Sequence, residues 1–393
     1  GKEKKTEGSD YYMKKYMPEP TIHKPTELQS LPYQELIPKL KNLVISKFGF
    51  QEGKILPSRA LCSDESQGIV NLALTSYFGS HPFDFGRVGG IFAADRSPAA
   101  AHHGKNIVCV AASHVGYDPI KKSYGTIFRP LMVEEGAGNH AHSTCCGKII
   151  GSIGDFQERY ELVRSKKINL IKKGDKYCIV INNNVNDTVL PKVNLQVDLD
   201  KMVKNNEGEP IIVQKRSNAM VYEVSNSFLQ HIQETGDHEE YFIDETPRPI
   251  GKFLTPDYFQ FDDNKIEIQA DGSHKVLQNL LPFMNLIVAD DNPSLIAANI
   301  NVWKEFYETV GKIRNRTKDL DLEDRAIFLV AGINIDVYDK ELASQNPLAG
   351  HQVYFCPTAA YFKDRGDSIG QVLEKDEIEA LLKDVDDGAE RTS

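Results

Sequence analysis

Cys62 and Asp64 stand two residues apart at the end of an apolar run, in Arg59-Ala60-Leu61-Cys62-Ser63-Asp64-Glu65-Ser66. A strand places residues i and i+2 on one side, so a thiol and a carboxylate there can face one pocket. A thiolate can hold a soft metal, and a carboxylate beside it can position or deprotonate a metal-bound water. Alone, the triplet is a weak signal and reads more readily as structural. Two later stretches add to it: Ser113-His114-Val115-Gly116 and Thr144-Cys145-Cys146-Gly147. Two cysteines and a histidine with the fourth position open form a known catalytic zinc set, in which the thiolates neutralise the dication. The bland alternative for Cys62, His114 and Cys146 is a buried thiol, a core histidine and a surface Cys pair.

The elements that must position these residues are legible from periodicity. Residues 34–48 place Leu36, Ile37, Leu40, Leu43, Val44 and Phe48 at helical spacing, closed by Gly49 or Gly53. A strand over 54–62 ends at Cys62, and a helix follows over 66–79. The continuous apolar run 105–112 predicts a strand buried on both faces, as in a parallel sheet. It delivers His114 at its carboxyl end, where open α/β sheets put their sites. A helix over 146–165 opens after the Cys pair, so its dipole favours a thiolate at Cys146. Further strands are expected at 176–182, 326–336 and 351–356, and helices near 227–234, 275–285, 293–315 and 374–384. Residues 240–275 read as turn-rich. Between the first two site stretches lies a glycine- and alanine-rich loop, Phe85 to His103, which lacks the G-x-G-x-x-G spacing of a dinucleotide site.

The chain has 393 residues, 40% of them hydrophobic, enough for a large core. Its formal charge is -10, from 46 basic and 56 acidic residues, which argues against nucleic acid or an anionic membrane as partner. No apolar run approaches the roughly 20 residues of a membrane span. The N-terminus, Gly1-Lys2-Glu3-Lys4-Lys5, is charged with no apolar segment behind it, so no signal peptide is read. Six cysteines are too sparse for a disulfide scaffold. The expected setting is a soluble protein of a reducing compartment, cytoplasmic, or plastid where a targeting peptide has been removed.

The stretches Cys62-Ser63-Asp64-Glu65, Phe92-Ala93-Ala94-Asp95-Arg96 with His102-His103, His114-Val115-Gly116 and Cys146-Gly147 together resemble a known family. It is the limiting-CO2-inducible protein B/C family, the β-class-like carbonic anhydrases also called theta class. The resemblance covers roughly residues 35–165, with a weaker tail to about 240. It implies an α/β fold with a mainly parallel central sheet and helices on both faces, β-carbonic-anhydrase-like, here extended by C-terminal strands and helices. The expected division is an N-terminal arm at 1–33, a zinc domain at 34–245 and a C-terminal α/β extension at 246–393 packed on it. The implied cofactor is Zn2+ held by Cys62, His114 and Cys146. The implied activity is reversible hydration of CO2 to bicarbonate by zinc-bound hydroxide, and a homodimer is expected because β-class relatives build their sites near subunit contacts.

The resemblance gives Asp64 the metal-bound water, or the metal itself, as its contact. In ordinary β-class enzymes the Asp pairs with an Arg two residues on; here Ser66 stands in that place. Arg96 from the loop is the best replacement, with Arg87 and Arg59 as alternatives. His102 and His103 relay protons, or equally hold the loop. Val88, Ile91, Phe92 and Val115 would form an apolar notch for CO2. Cys145 reads as a packed bystander, and His140 and His142 as competing ligands. The missing Arg at 66 leaves a non-catalytic zinc homologue, a scaffold or an inorganic-carbon-responsive protein, as the alternative. A zinc deaminase would want a Cys-x-x-Cys pair, which is absent. A thiol redox protein using Cys145-Cys146 is the remaining rival.

Overall fold

The structure, a computed structural model, describes residues 30–87, 91–92, 106–128, 142–183, 185, 193–235, 241–242, 244–262, 274–315, 322–346 and 349–385. Contacts group it into two compact units: residues up to Gly151 together with those from Ser294 onward, and Ser152–Pro293. The boundary expected at 245 falls inside the second unit.

The first unit is built on one mixed sheet. Its strands are β1 (Leu31–Pro32), β2 (Ile55–Ala60), β3 (Phe83–Asp84), β4 (Asn106–Asp118), β5 (Ser123–Tyr124), β6 (Ala326–Tyr338), β7 (His351–Lys363) and β8 (Gln371–Leu373). The order is β1-β7-β6-β4-β2-β3, with β8 on β7 and β5 on β4. The four successive strands β6, β4, β2 and the edge strand β3 run parallel. The fold is therefore α/β with a parallel centre, and the C-terminal strands lie within the sheet, between β4 and β1.

Alternation along β4 assigns its two faces. Val108, Val110 and Ala112 join one core with Phe328, Val330, Phe355 and the helices α1 (Tyr33–Phe48), α2 (Gly68–Phe78) and α3 (Lys375–Asp384). Ser113, on the opposite face, accepts a hydrogen bond from Asn301 at 2.9 Å. Asn301 belongs to a helix, Pro293–Asn315, so both faces of the sheet are covered.

Helix α1 follows its apolar stripe: Tyr33, Leu36, Ile37, Leu40, Leu43 and Val44 are all buried. Gly49 ends it in the left-handed conformation (φ 73°), its N–H on the Val44 carbonyl. Space is open around a Cβ there, so only backbone preference resists a side chain. Gly49→Ala is expected to cost about 1 kcal/mol in urea unfolding, with no effect on metal binding.

Two strands are longer than their sequence suggests. β4 continues through His114 to Asp118, because Gly116 still pairs with Asp336 on β6. β7 runs on past Pro357, which has no N–H to give a ladder. The β6–β7 register slips there, between Ala331 and Gly332, and absorbs it. Gly332 is needed opposite: a Cβ on it would lie 2.3 Å from the Cys356 carbonyl oxygen.

The second unit carries a five-stranded antiparallel sheet in the order Ile212–Lys215, Ala219–Glu223, Lys176–Asn182, Ile168–Lys173, Arg248–Pro249. The strand Ile168–Lys173 follows directly on the helix before it, and its continuous polar-apolar mixture hid it from periodicity. The helix Asn226–Glu234 is capped by Ser225, whose hydroxyl accepts from the Phe228 N–H at 3.2 Å. Among the described residues no helix is long and apolar enough to cross a membrane.

Candidate metal centre

Three segments meet at the carboxyl end of β4. The turn after β2 brings Cys62, β4 itself brings His114, and a ribbon of Thr126–Phe128 paired with His142–Thr144 brings Cys145 and Cys146. The ribbon is fastened to the strand by backbone bonds. Gly116 N–H donates to the Cys145 carbonyl (2.9 Å), Cys145 N–H to Gly125 (3.0 Å), and Gly125 N–H to Gly116 (2.8 Å). Gly116 makes this approach possible, since a Cβ there would lie 2.6 Å from the Thr126 carbonyl oxygen and 3.0 Å from Cys145 Cβ. The helix Gly147–Leu162 starts next, with the Ile150 N–H on the Cys146 carbonyl at 3.1 Å.

The ligand atoms of Cys62, His114 and Cys146 all lie within 4.8 Å of one another, and all three residues are buried. The two sulfurs are 4.0 Å apart. Tetrahedral zinc with thiolates at about 2.3 Å would hold them about 3.8 Å apart, so the spacing fits with almost no adjustment. His114 supplies the strongest sign. Its Nδ1 is 2.6 Å from Asp336 Oδ2, while its Nε2 is buried with no hydrogen-bond partner among the described residues. Leaving a buried polar atom unpaired costs on the order of 1–3 kcal/mol unless something binds it. A metal ion at the two sulfurs would be that partner.

Burial alone would lower the His114 pKa, but the Asp336 carboxylate outweighs it and raises the ring well above its ordinary value. A hydrogen bond with Cys62, together with burial, holds the Cys146 thiol well above its usual range. Without a metal, the site therefore retains its protons.

Asp64 also comes to the site. Its carboxylate oxygen, His114 and Cys145 form a second group within 4.8 Å. The Ser66 N–H donates to Asp64 Oδ1 at 3.0 Å and fixes the carboxylate. Arg59, an alternative partner for Asp64, is instead paired with Asp84 at 3.2 Å. Arg96, His102, His103 and His140 lie outside the described residues, as do the side chains of Arg87, Phe92 and His142. Cys145 does more than fill space. Burial pushes its thiol up to about 12, and it donates to Asp336 Oδ2 at 3.1 Å.

Sequence reasoning missed the residues behind the ligands. Asp336 and Asn334 project from β6, Gln67 and Ser66 from the turn before α2. Gln67 Nε2 donates to Asp336 Oδ1 at 2.8 Å, and Ser66 Oγ lies 3.4 Å from Oδ2. Asn334 Nδ2 donates to Gln67 Oε1 at 2.7 Å, and the Tyr33 hydroxyl to Asn334 Oδ1 at 2.5 Å. A signal existed: Asn334 and Asp336 are polar residues at i and i+2 closing an otherwise apolar strand.

A family model described as "Limiting CO2-inducible proteins B/C beta carbonic anhydrases" matches residues 30–230. No curated protein matches this chain. The crystal structure of PtLCIB4, a homolog of the limiting CO2-inducible protein LCIB, aligns over 88% of this chain and 94% of its own, at 14% identity and a TM-score of 0.47. That of LCIB itself covers 88% and 94%, at 12% identity and a TM-score of 0.34.

Proposed function

Because this chain belongs to the family of limiting CO2-inducible proteins B/C, the β-class-like carbonic anhydrases, we propose that it is a zinc-dependent carbonic anhydrase interconverting CO2 and bicarbonate. The observation that carries the metal is the buried, unpartnered His114 Nε2 beside two sulfurs 4.0 Å apart. Cys62, His114 and Cys146 would hold the ion. When bound, zinc supplies a Lewis acid that makes water nucleophilic near neutral pH.

The chain's own residues do the rest. The two sulfurs, as thiolates, offset the dication. Asp336 holds the imidazole from behind. Asp64, fixed by the Ser66 N–H, faces the His114 ring and is placed to orient a water and to accept its proton. Arg96 is the proposed counter-charge for Asp64. Val115 is buried, but alternation along β4 sets it with Ser113 on the face opposite His114, which argues against it as the apolar wall for CO2. A homodimer is proposed on the family likeness, and sedimentation reads it directly.

Stopped-flow CO2 hydration with elemental analysis tests this reading. It expects about one zinc per chain and turnover that Asp64→Ala lowers roughly a hundredfold or more while zinc stays bound. Zinc with no turnover would favour the second reading, a non-catalytic zinc homologue. The observation on its side is Ser66, buried and engaged with Gln67 and Asp336 where ordinary β-class enzymes carry an Arg.

Metal affinity must also depend on pH. The Cys146 and His114 pKa values are both raised, and the ion binds only the deprotonated forms. Uptake therefore releases protons, and affinity strengthens as pH rises. Between about pH 6 and about pH 8 the zinc dissociation constant is expected to fall by roughly tenfold per proton released, for each pH unit. Competition with a chromophoric chelator measures it; a flat profile would contradict protonated ligands.

A further inference from the structure

We propose that Asp336 is a positioning residue of the metal centre: it orients His114 with Nδ1–H toward its own carboxylate and Nε2 toward the ion. The proposal rests on the reading of Cys62, His114 and Cys146 as zinc ligands. It makes β6, far along the chain from those ligands, an integral part of the centre.

The direction of the hydrogen bonds carries the inference. The network starts at Tyr33 on α1, whose hydroxyl donates to Asn334 Oδ1. The Asn334 amide must then offer its NH2 to Gln67 Oε1. Gln67 in turn has only its NH2 left for Asp336 Oδ1. On the other oxygen, the Cys145 thiol donates at 3.1 Å and the Ser66 hydroxyl at 3.4 Å. Every neighbour of Asp336 thus gives it a hydrogen, so the carboxylate is an acceptor throughout. At 2.6 Å, His114 Nδ1 can only be another donor. An imidazole held that way has Nε2 as its sole ligand atom.

The pair is sealed from water, with side-chain exposures of 0% for His114 and 1% for Asp336. Gln67 is tethered at both ends of its amide, so the carboxylate cannot rotate freely. A purely structural ion pair would need neither this polarity nor a ring whose other nitrogen is left bare. The geometry also gives Cys145 a use: it is one of the donors that keep Asp336 an acceptor, rather than a fourth ligand.

The test uses the full chain and zinc itself. Asp336→Asn retains the shape but lets an NH2 face Nδ1, which drives the ring toward the Nε2–H tautomer. Zinc affinity, read by chelator competition, is expected to weaken about 10- to 100-fold. Long-range 1H–15N spectra of the zinc-loaded wild type should show the His114 proton on Nδ1. Gln67→Leu keeps the carboxylate and removes its tether, together with the contacts of Gln67 to Asn334 and Ser66. It is expected to weaken zinc several-fold, and it serves if Asp336→Asn does not fold. Wild-type zinc binding with unchanged affinity in the folded variants overturns the positioning role and leaves the zinc reading intact. A wild type that takes up no zinc overturns the ligand reading, and this proposal with it.

Discussion

His114→Ala loses its metal. With the imidazole gone, two thiols remain, and a two-thiolate site without its third protein ligand does not retain zinc against a competing chelator. The expected drop in affinity is at least about a thousandfold, and CO2 hydration falls to the uncatalysed rate. The same change strips Asp336 of its shortest hydrogen bond. The carboxylate keeps Gln67, Cys145 and Ser66 as donors, so the fold survives with a stability loss of about 1–3 kcal/mol. Elemental analysis of the purified variant, with urea unfolding in parallel, checks both parts. A variant that retains stoichiometric zinc would contradict the assignment of His114.

Gly116→Val damages the same centre from the backbone side. Nothing about this glycine concerns its own torsion angles; the issue is room. A Cβ would lie 2.6 Å from a backbone oxygen of Thr126, inside any permitted contact. Neither side can yield easily, because Gly116 pairs with Asp336 in the sheet and Thr126 belongs to the ribbon. The ribbon must shift outward and carry Cys145 and Cys146 with it. The expected cost is about 3 kcal/mol in unfolding free energy, together with a zinc affinity at least about tenfold weaker. A variant that unfolds like the wild type would show that the ribbon is looser than these contacts imply.

Much of the site could be read from residue type and position. Cys62, His114 and Cys146 do converge: Cys62 and Cys146 sit where one element hands over to the next, and His114 projects from within β4 between them. The helices α1, α2 and α3 lie where apolar periodicity puts them. What escaped the sequence has physical causes. Asp336 shares no local pattern with His114; only pairing of β4 with β6 makes them neighbours. The true length of β7 was hidden by Pro357, which ends most strands but is accommodated here by a register slip opposite Gly332. Cys145 looked inert because its role is toward Asp336, a residue that sequence reasoning had not connected to it. The two-unit division was not visible either, since the sheet of the first unit draws strands from both ends of the chain.

That interleaving sets a timetable for biosynthesis. His114 and Asp336 are 222 positions apart. At about 5–20 residues per second, a ribosome needs roughly 10–45 seconds to deliver the second after the first. Throughout that interval β4, buried along nearly its whole length in the finished protein, has one flank unoccupied, and an apolar strand edge of this kind invites pairing with other nascent chains. Late closure of the sheet is the order of events this topology requires. Metal insertion then belongs after β6 has docked, when the last wall of the cradle is in place.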